Sequence, residues 1–134
     1  MTVDFNKYVD FVGSVTSPAS RDTGEFILRI SDLKSQGVDI QRLLTAACGI
    51  TAEGGEFTEI VKKIAFQGKP YTEENVFHMK RELGDILWYI AQACIALDIS
   101  FEEIAQMNFE KLTARYPEGT FSIERSENRV ANDL

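Results

Sequence analysis

Apolar residues recur along the chain at intervals of three and four, the spacing that gathers them on one face of a helix. Phe5, Tyr8, Val9 and Val12 fall at i, i+3, i+4 and i+7, and this first element ends at Ser17-Pro18, because proline disfavours the α region for the residue before it. Asp22-Thr23-Gly24-Glu25 has the spacing of a helix start ahead of Phe26, Ile27, Ile30 and Leu33, and Gly37 closes that segment. Residues 1–38 thus read as two short helices. From Asp39 the series Ile40, Leu43, Leu44, Ala47, then Phe57, Ile60, Val61, Ile64 runs to Gly68-Lys69-Pro70, predicting one long helix with room for a kink at Gly49 or Gly54-Gly55. Thr72 before Glu73 and Glu74 suits an N-cap with acidic residues at the positive end of the dipole, and the helix it starts carries Leu83, Ile86, Leu87, Ile90 and Cys94. Ser100-Phe101-Glu102-Glu103 is a capping box for a last helix ending near Tyr116-Pro117. The polar tail over 118–134 is assigned no firm structure.

No stretch shows sustained alternation rich in β-branched residues, and no Asn-Gly or Asp-Gly hairpin turn occurs, so the fold class is all-α. A single domain over 1–134 is expected, a helical bundle of about four to five helices. At 134 residues, with 44% hydrophobic and 26% charged positions, the chain can build a core without disulfide or metal staples. No apolar run approaches the roughly 20 residues of a membrane span, so no membrane partner is expected. Nothing in Met1 to Asp10 resembles a secretory signal, which predicts a cytoplasmic protein. Cys48 and Cys94 lie in apolar stretches outside any C-x-x-C or Cys/His cluster and are expected as reduced core residues. With 14 basic against 21 acidic residues the formal charge is −7, which disfavours a protein that grips nucleic acid through its phosphates.

Four carboxylates stand where the helical pattern calls for apolar residues. Glu53 lies three residues after Ile50, four before Phe57 and seven before Ile60, and Glu56 follows one turn on. On the next helix Glu82 sits between Met79 and Ile86 at helical spacing, and Asp85 precedes Trp88 by three. The connection around Gly68 to Tyr71 is short enough to make these helices antiparallel neighbours, so Glu53-x-x-Glu56 and Glu82-x-x-Asp85 face each other. Four such carboxylates cannot all stay ionised in a partly buried site without cations, and they call for hard divalent ions such as Mg²⁺ or Mn²⁺. A single E-x-x-E would read as solvated charge; two pairs on the apolar faces of adjacent helices favour the cluster.

Lys63, seven residues after Glu56, and Tyr89, four after Asp85, project toward the same side, although a solvated lysine beside Lys62 and a core aromatic explain them equally. His78 precedes Glu82 by four and is expected to be exposed rather than a ligand, and Glu59 is a candidate supporting group. Asn108, Lys111 and Arg115 form a donor-rich line on the last helix, suited to phosphate oxygens or to solvent.

Glu53-Gly-Gly-Glu56, Glu82-Leu-Gly-Asp85-Ile-Leu-Trp-Tyr89 and Asn108-Phe-Glu-Lys111-Leu-Thr-Ala-Arg115-Tyr-Pro together resemble the MazG-type nucleoside triphosphate pyrophosphohydrolases, of the all-α superfamily that also holds dCTP and dimeric dUTP pyrophosphatases. The resemblance covers roughly residues 40–117. It implies that Glu53, Glu56, Glu82 and Asp85 hold Mg²⁺, with Mn²⁺ able to substitute, and that one of them activates water. It further implies that Lys111 and Arg115, helped by Asn108, meet the triphosphate, and that Tyr89 lies beside the nucleotide. Lys63 stands where some relatives carry an aromatic that contacts the base, a departure that bears on base selectivity. The implied reaction gives a nucleoside monophosphate and pyrophosphate, in a four-helix core completed by oligomerisation as a homodimer or homotetramer. A di-iron bundle would want Glu-x-x-His, whereas His78 is preceded three residues earlier by Asn75. A non-catalytic nucleotide-sensing or helical interaction module would keep the bundle without needing the four acids together with Lys111 and Arg115.

Overall fold

The computed structural model describes residues 2–128. It contains seven helices and, among the described residues, no strand: α1 (Phe5–Val15), α2 (Pro18–Arg21), α3 (Thr23–Ser35), α4 (Ile40–Phe66), α5 (Glu73–Leu97), α6 (Phe101–Arg115) and α7 (Ile123–Glu127). No single helix is long and apolar enough to cross a membrane. The chain divides at Gln41/Arg42 into two compact units, the first holding α1 to α3 and the first two residues of α4, the second the rest of α4 with α5 to α7.

In the first unit the starts of α1 and α3 are each fixed by a side chain. Asp4 accepts from the backbone N–H groups of Asn6 and Lys7, and Asp22 accepts from that of Glu25 at 2.9 Å. Both satisfy donors that an α-helix leaves unpaired in its first turn. Pro18 ends α1 as expected but also opens α2, because its fixed φ and missing N–H suit the first helical position. At the end of α3, Gly37 takes φ 81°, so Gly37 N–H reaches the Lys34 carbonyl and Val38 N–H that of Leu33, both at 3.0 Å.

The second unit is organised by α4 and α5. Three cross-helix pairings share one antiparallel register: Arg42 donates to Gln92 Oε1 at 2.6 Å, Gly49 lies against the Tyr89 ring, and Glu53 meets Glu82 and Asp85. The turn between the helices is held by Asn75, which is buried, donates its side-chain N–H to the Pro70 carbonyl at 2.8 Å, and donates its backbone N–H to the capping Thr72 Oγ1. α4 runs unbroken for 27 residues through Gly49, Gly54 and Gly55. α5 ends with Asp98 in the left-handed conformation at φ 53°, a region that Asp tolerates better than most residues, and α6 leaves at 96° to α5.

The core of the chain taken alone is thin. Among the described residues the fully buried apolar side chains are Ala46 and Cys94. Cys48 departs from expectation and is exposed: it lies two residues past Ala46, about 200° around the helix. The tail also differs from expectation. Ser122 caps α7 by accepting from Arg125 N–H, Glu118 pairs with Arg125 at 2.7 Å, and the Tyr116 and Phe121 rings pack 5.9 Å apart. Residues 129–134 of that tail lie outside the described residues.

Candidate active site

Three of the four expected acids meet across the α4–α5 seam. A carboxylate oxygen from each of Glu53, Glu82 and Asp85 lies within 4.8 Å of the other two, with Glu53 and Glu82 half-buried and Asp85 exposed. Helical geometry explains the convergence, since residues three apart on α5 share a face and the antiparallel register brings Glu53 opposite them. Partial desolvation raises the Glu53 carboxyl above the ordinary carboxylate range, reinforced by the charges of Glu56, Asp85 and Glu82 and by a hydrogen bond with Glu82. Glu56 is exposed and stands outside the three-oxygen group, acting on it through charge. Hard oxygen donors this close, from two rigid helices, are a donor set for a hard divalent cation.

Tyr89 is positioned by a residue that the sequence reading treated only as an interruption. Gly49 is buried, and a Cβ there would fall far inside contact distance of the Tyr89 ring, so only glycine lets the phenol lie on α4 at this level. Trp88 packs edge-on to the same ring with centroids 4.8 Å apart. The available signal was a lone glycine within a long apolar helix, four residues before Glu53.

Lys63 is half-buried and paired with Glu59 Oε1 at 3.0 Å, while Lys62 pairs with the other oxygen. These lysines hold the Glu59 carboxyl below its ordinary range, through hydrogen bonds from Lys62 and then Lys63. Glu59 therefore supports two lysines on α4. His78 is partly exposed, 3.9 Å from Glu74 Oε1, and lies outside the carboxylate group. On α6, Asn108 is exposed and Lys111 and Arg115 are half-buried, and this helix points away from α5.

Residues 41–120 match the family of the MazG nucleotide pyrophosphohydrolase domain. The chain is also 36% identical over 81 residues to the Gene 37 protein of Mycobacterium phage L5, an alignment covering 60% of this chain and 71% of the phage protein. No solved structure matches the chain. The family match spans α4 to α6 and so contains both acidic pairs, Tyr89 and the α6 donors in one segment. With that segment covering more than half of its length, the chain belongs to the MazG nucleotide pyrophosphohydrolase domain family.

Proposed function

We propose that the protein hydrolyses nucleoside or deoxynucleoside triphosphates between the α and β phosphates in a Mg²⁺-dependent reaction. The observation that carries this reading is the meeting of Glu53, Glu82 and Asp85 oxygens within 4.8 Å inside the family-matched segment. With Glu56 one turn on, these carboxylates would hold the cation, and the neighbours that raise the Glu53 carboxyl are the groups whose repulsion a cation relieves. When bound, Mg²⁺ or Mn²⁺ spreads the charge that develops on the phosphate oxygens.

The chain's own residues do the rest. A cluster carboxylate orients the attacking water and accepts its proton as the oxygen bonds to the α phosphorus. The α–β anhydride bond breaks, and pyrophosphate leaves with the bridging oxygen. Lys111 and Arg115, helped by Asn108, donate to the phosphate oxygens. Tyr89, fixed over Gly49, flanks the nucleotide, and Lys63 sits toward the base with its orientation set by Glu59. A homodimer or homotetramer acting on free cytoplasmic nucleotides fits this chemistry and the thin core of the lone chain. The test is pyrophosphate release from a panel of ribo- and deoxyribonucleoside triphosphates with Mg²⁺, with Mn²⁺ and with EDTA. Metal-dependent pyrophosphate supports the reading; nucleotide binding without product marks a sensing module, and orthophosphate as first product marks a different phosphatase.

A further inference from the structure

The acidic cluster has a closed side and an open one. Glu53 and Glu82 are half-buried in the α4–α5 seam, whereas Glu56 and Asp85 are exposed. Glu56 follows Glu53 by three residues and Asp85 follows Glu82 by three, so each is turned about 60° from the seam in the same rotational sense. Equal turns on two antiparallel helices emerge on one face of the pair, because a two-fold axis perpendicular to their common plane relates them. Glu56 and Asp85 therefore flank one face of the hairpin, and a ligand reaches the carboxylates from there.

Arg81 stands on that face. It precedes Glu82 by one residue, which turns it about 100° in the sense of Asp85. It precedes Asp85 by four, one helical turn with a Cβ spacing of about 5–6 Å. Arg81 is exposed and, among the described residues, has no hydrogen-bond or ion-pair partner. A base placed before its acid is the less favourable order for a helical ion pair, which explains why Asp85 does not hold it. Other basic groups of α4 are engaged: Lys62 and Lys63 by Glu59, and Arg42 by Gln92. Lys80 lies about 160° around α5 from Glu82 and lines a separate cleft with Tyr71 and Phe77.

We propose that Arg81 is a phosphate-binding residue, whose guanidinium takes two oxygens of the triphosphate held at the carboxylates. This rests on the hydrolytic function proposed above and adds a donor on the cluster's own helix to those of α6. The planar fork of arginine matches two phosphate oxygens, which the ammonium of a lysine does not. As the α–β anhydride bond breaks, the leaving pyrophosphate gains negative charge, and Arg81 offsets it. Arg81 also opposes a bare cation at the cluster, since two positive charges then stand one turn apart. A phosphate chain placed between them turns that repulsion into attraction.

This opposition of signs supplies the test. Arg81→Ala, Arg81→Lys and Lys80→Ala are compared by titration calorimetry with Mn²⁺ alone and with inorganic pyrophosphate in the presence of Mg²⁺. Pyrophosphate release from a mixture of the four deoxynucleoside triphosphates is measured beside them. Arg81→Ala is expected to weaken pyrophosphate binding and kcat/KM roughly ten- to hundredfold, while Mn²⁺ alone binds as tightly as to the wild type or more tightly. Arg81→Lys falls between, and Lys80→Ala, which removes the same charge from another side of α5, stays within about twofold. Losses in Arg81→Ala no larger than in Lys80→Ala would overturn the assignment. An equal loss of Mn²⁺ affinity would also overturn it, making Arg81 a support of the metal site. A wild type that releases no pyrophosphate from any triphosphate overturns the hydrolytic function instead, and the calorimetry with inorganic pyrophosphate still decides for Arg81.

Discussion

Gly49 and Tyr89 form a fitted pair: the ring on α5 lies directly on the backbone of α4, in space that any side chain at position 49 would occupy. Gly49→Ala forces the ring outward and is expected to destabilise by about 1–3 kcal/mol, the usual cost of overpacking a fitted contact. Gly54→Ala, where an added Cβ meets nothing, is expected to be neutral or to stabilise by up to about 1 kcal/mol through helix propensity. Urea unfolding midpoints separate the two, and equal midpoints would remove the Tyr89 contact from the account. Because Tyr89 flanks the nucleotide in the proposed site, Gly49→Ala is also expected to raise KM.

Removal of divalent cations is expected to abolish hydrolysis, and Mg²⁺ or Mn²⁺ to restore it. Glu53→Gln and Asp85→Asn should lower kcat by orders of magnitude with the helical circular dichroism unchanged. Full activity in either variant would remove that residue from the site.

Two carboxylates predict opposite pH responses in metal-free protein. Glu53 titrates above its ordinary value of 4.5, so its favourable contribution is fully present below that value and is lost as pH rises through the folded value. Glu59 titrates below 4.5, so its contribution is present above that value and is lost as pH falls through the folded one. Glu53→Gln is therefore expected to raise metal-free stability at neutral pH, and Glu59→Gln to lower it slightly, its ion pairs being largely exposed. Denaturation midpoints with EDTA at pH 4 and 7 provide the comparison, and a Glu53→Gln gain that is larger at pH 4 than at pH 7 would contradict it.

Loss of Lys111 or Arg115 should weaken kcat/KM by roughly 1.5–3 kcal/mol each, the range for hydrogen bonds to charged groups. Lys34 on α3 is a suitable control for the general field of an acidic protein, and a few tenths molar salt should erase its effect while leaving most of the site effect. Arg42 is not a suitable control, because it donates to Gln92 across the α4–α5 seam. Equal losses at Lys34, Lys111 and Arg115, all removed by salt, would place the phosphate donors elsewhere.

The features legible in the sequence are those set by short-range geometry. Asp22, Thr72 and Ser100 cap their helices because a cap acts within three residues, and Glu82 and Asp85 share a face because i, i+3 spacing fixes one, whereas Glu56, at the same spacing from Glu53, is exposed and outside the three-oxygen group. The all-α class followed from the same periodicity. Pro18 was readable as a helix end but not as the start of α2, since one ring both restricts its predecessor and prepares its own φ. α7 was missed because Ser122 supplies a cap with no apolar periodicity behind it. Cys48 was misplaced because an apolar stretch does not reveal which residue faces the seam. The direction of α6 depends on Asp98 adopting the left-handed conformation, which composition does not announce.

The Asn75 clamp on Pro70 has a kinetic consequence. Sequence separation grows steadily away from that turn, from Glu53 with Glu82 to Gly49 with Tyr89 and then Arg42 with Gln92, so the hairpin closes like a zipper from its loop. Glu53 with Glu82 and Asp85 is the first of these pairings met during closure, and the Gly49–Tyr89 and Arg42–Gln92 contacts that reward it come later. In metal-free protein the repulsion is thus encountered before those two contacts form. A divalent cation that neutralises the cluster at that stage is expected to speed refolding, which stopped-flow dilution from urea with Mg²⁺ and with EDTA checks; equal rates would separate the cluster from the assembly of its scaffold.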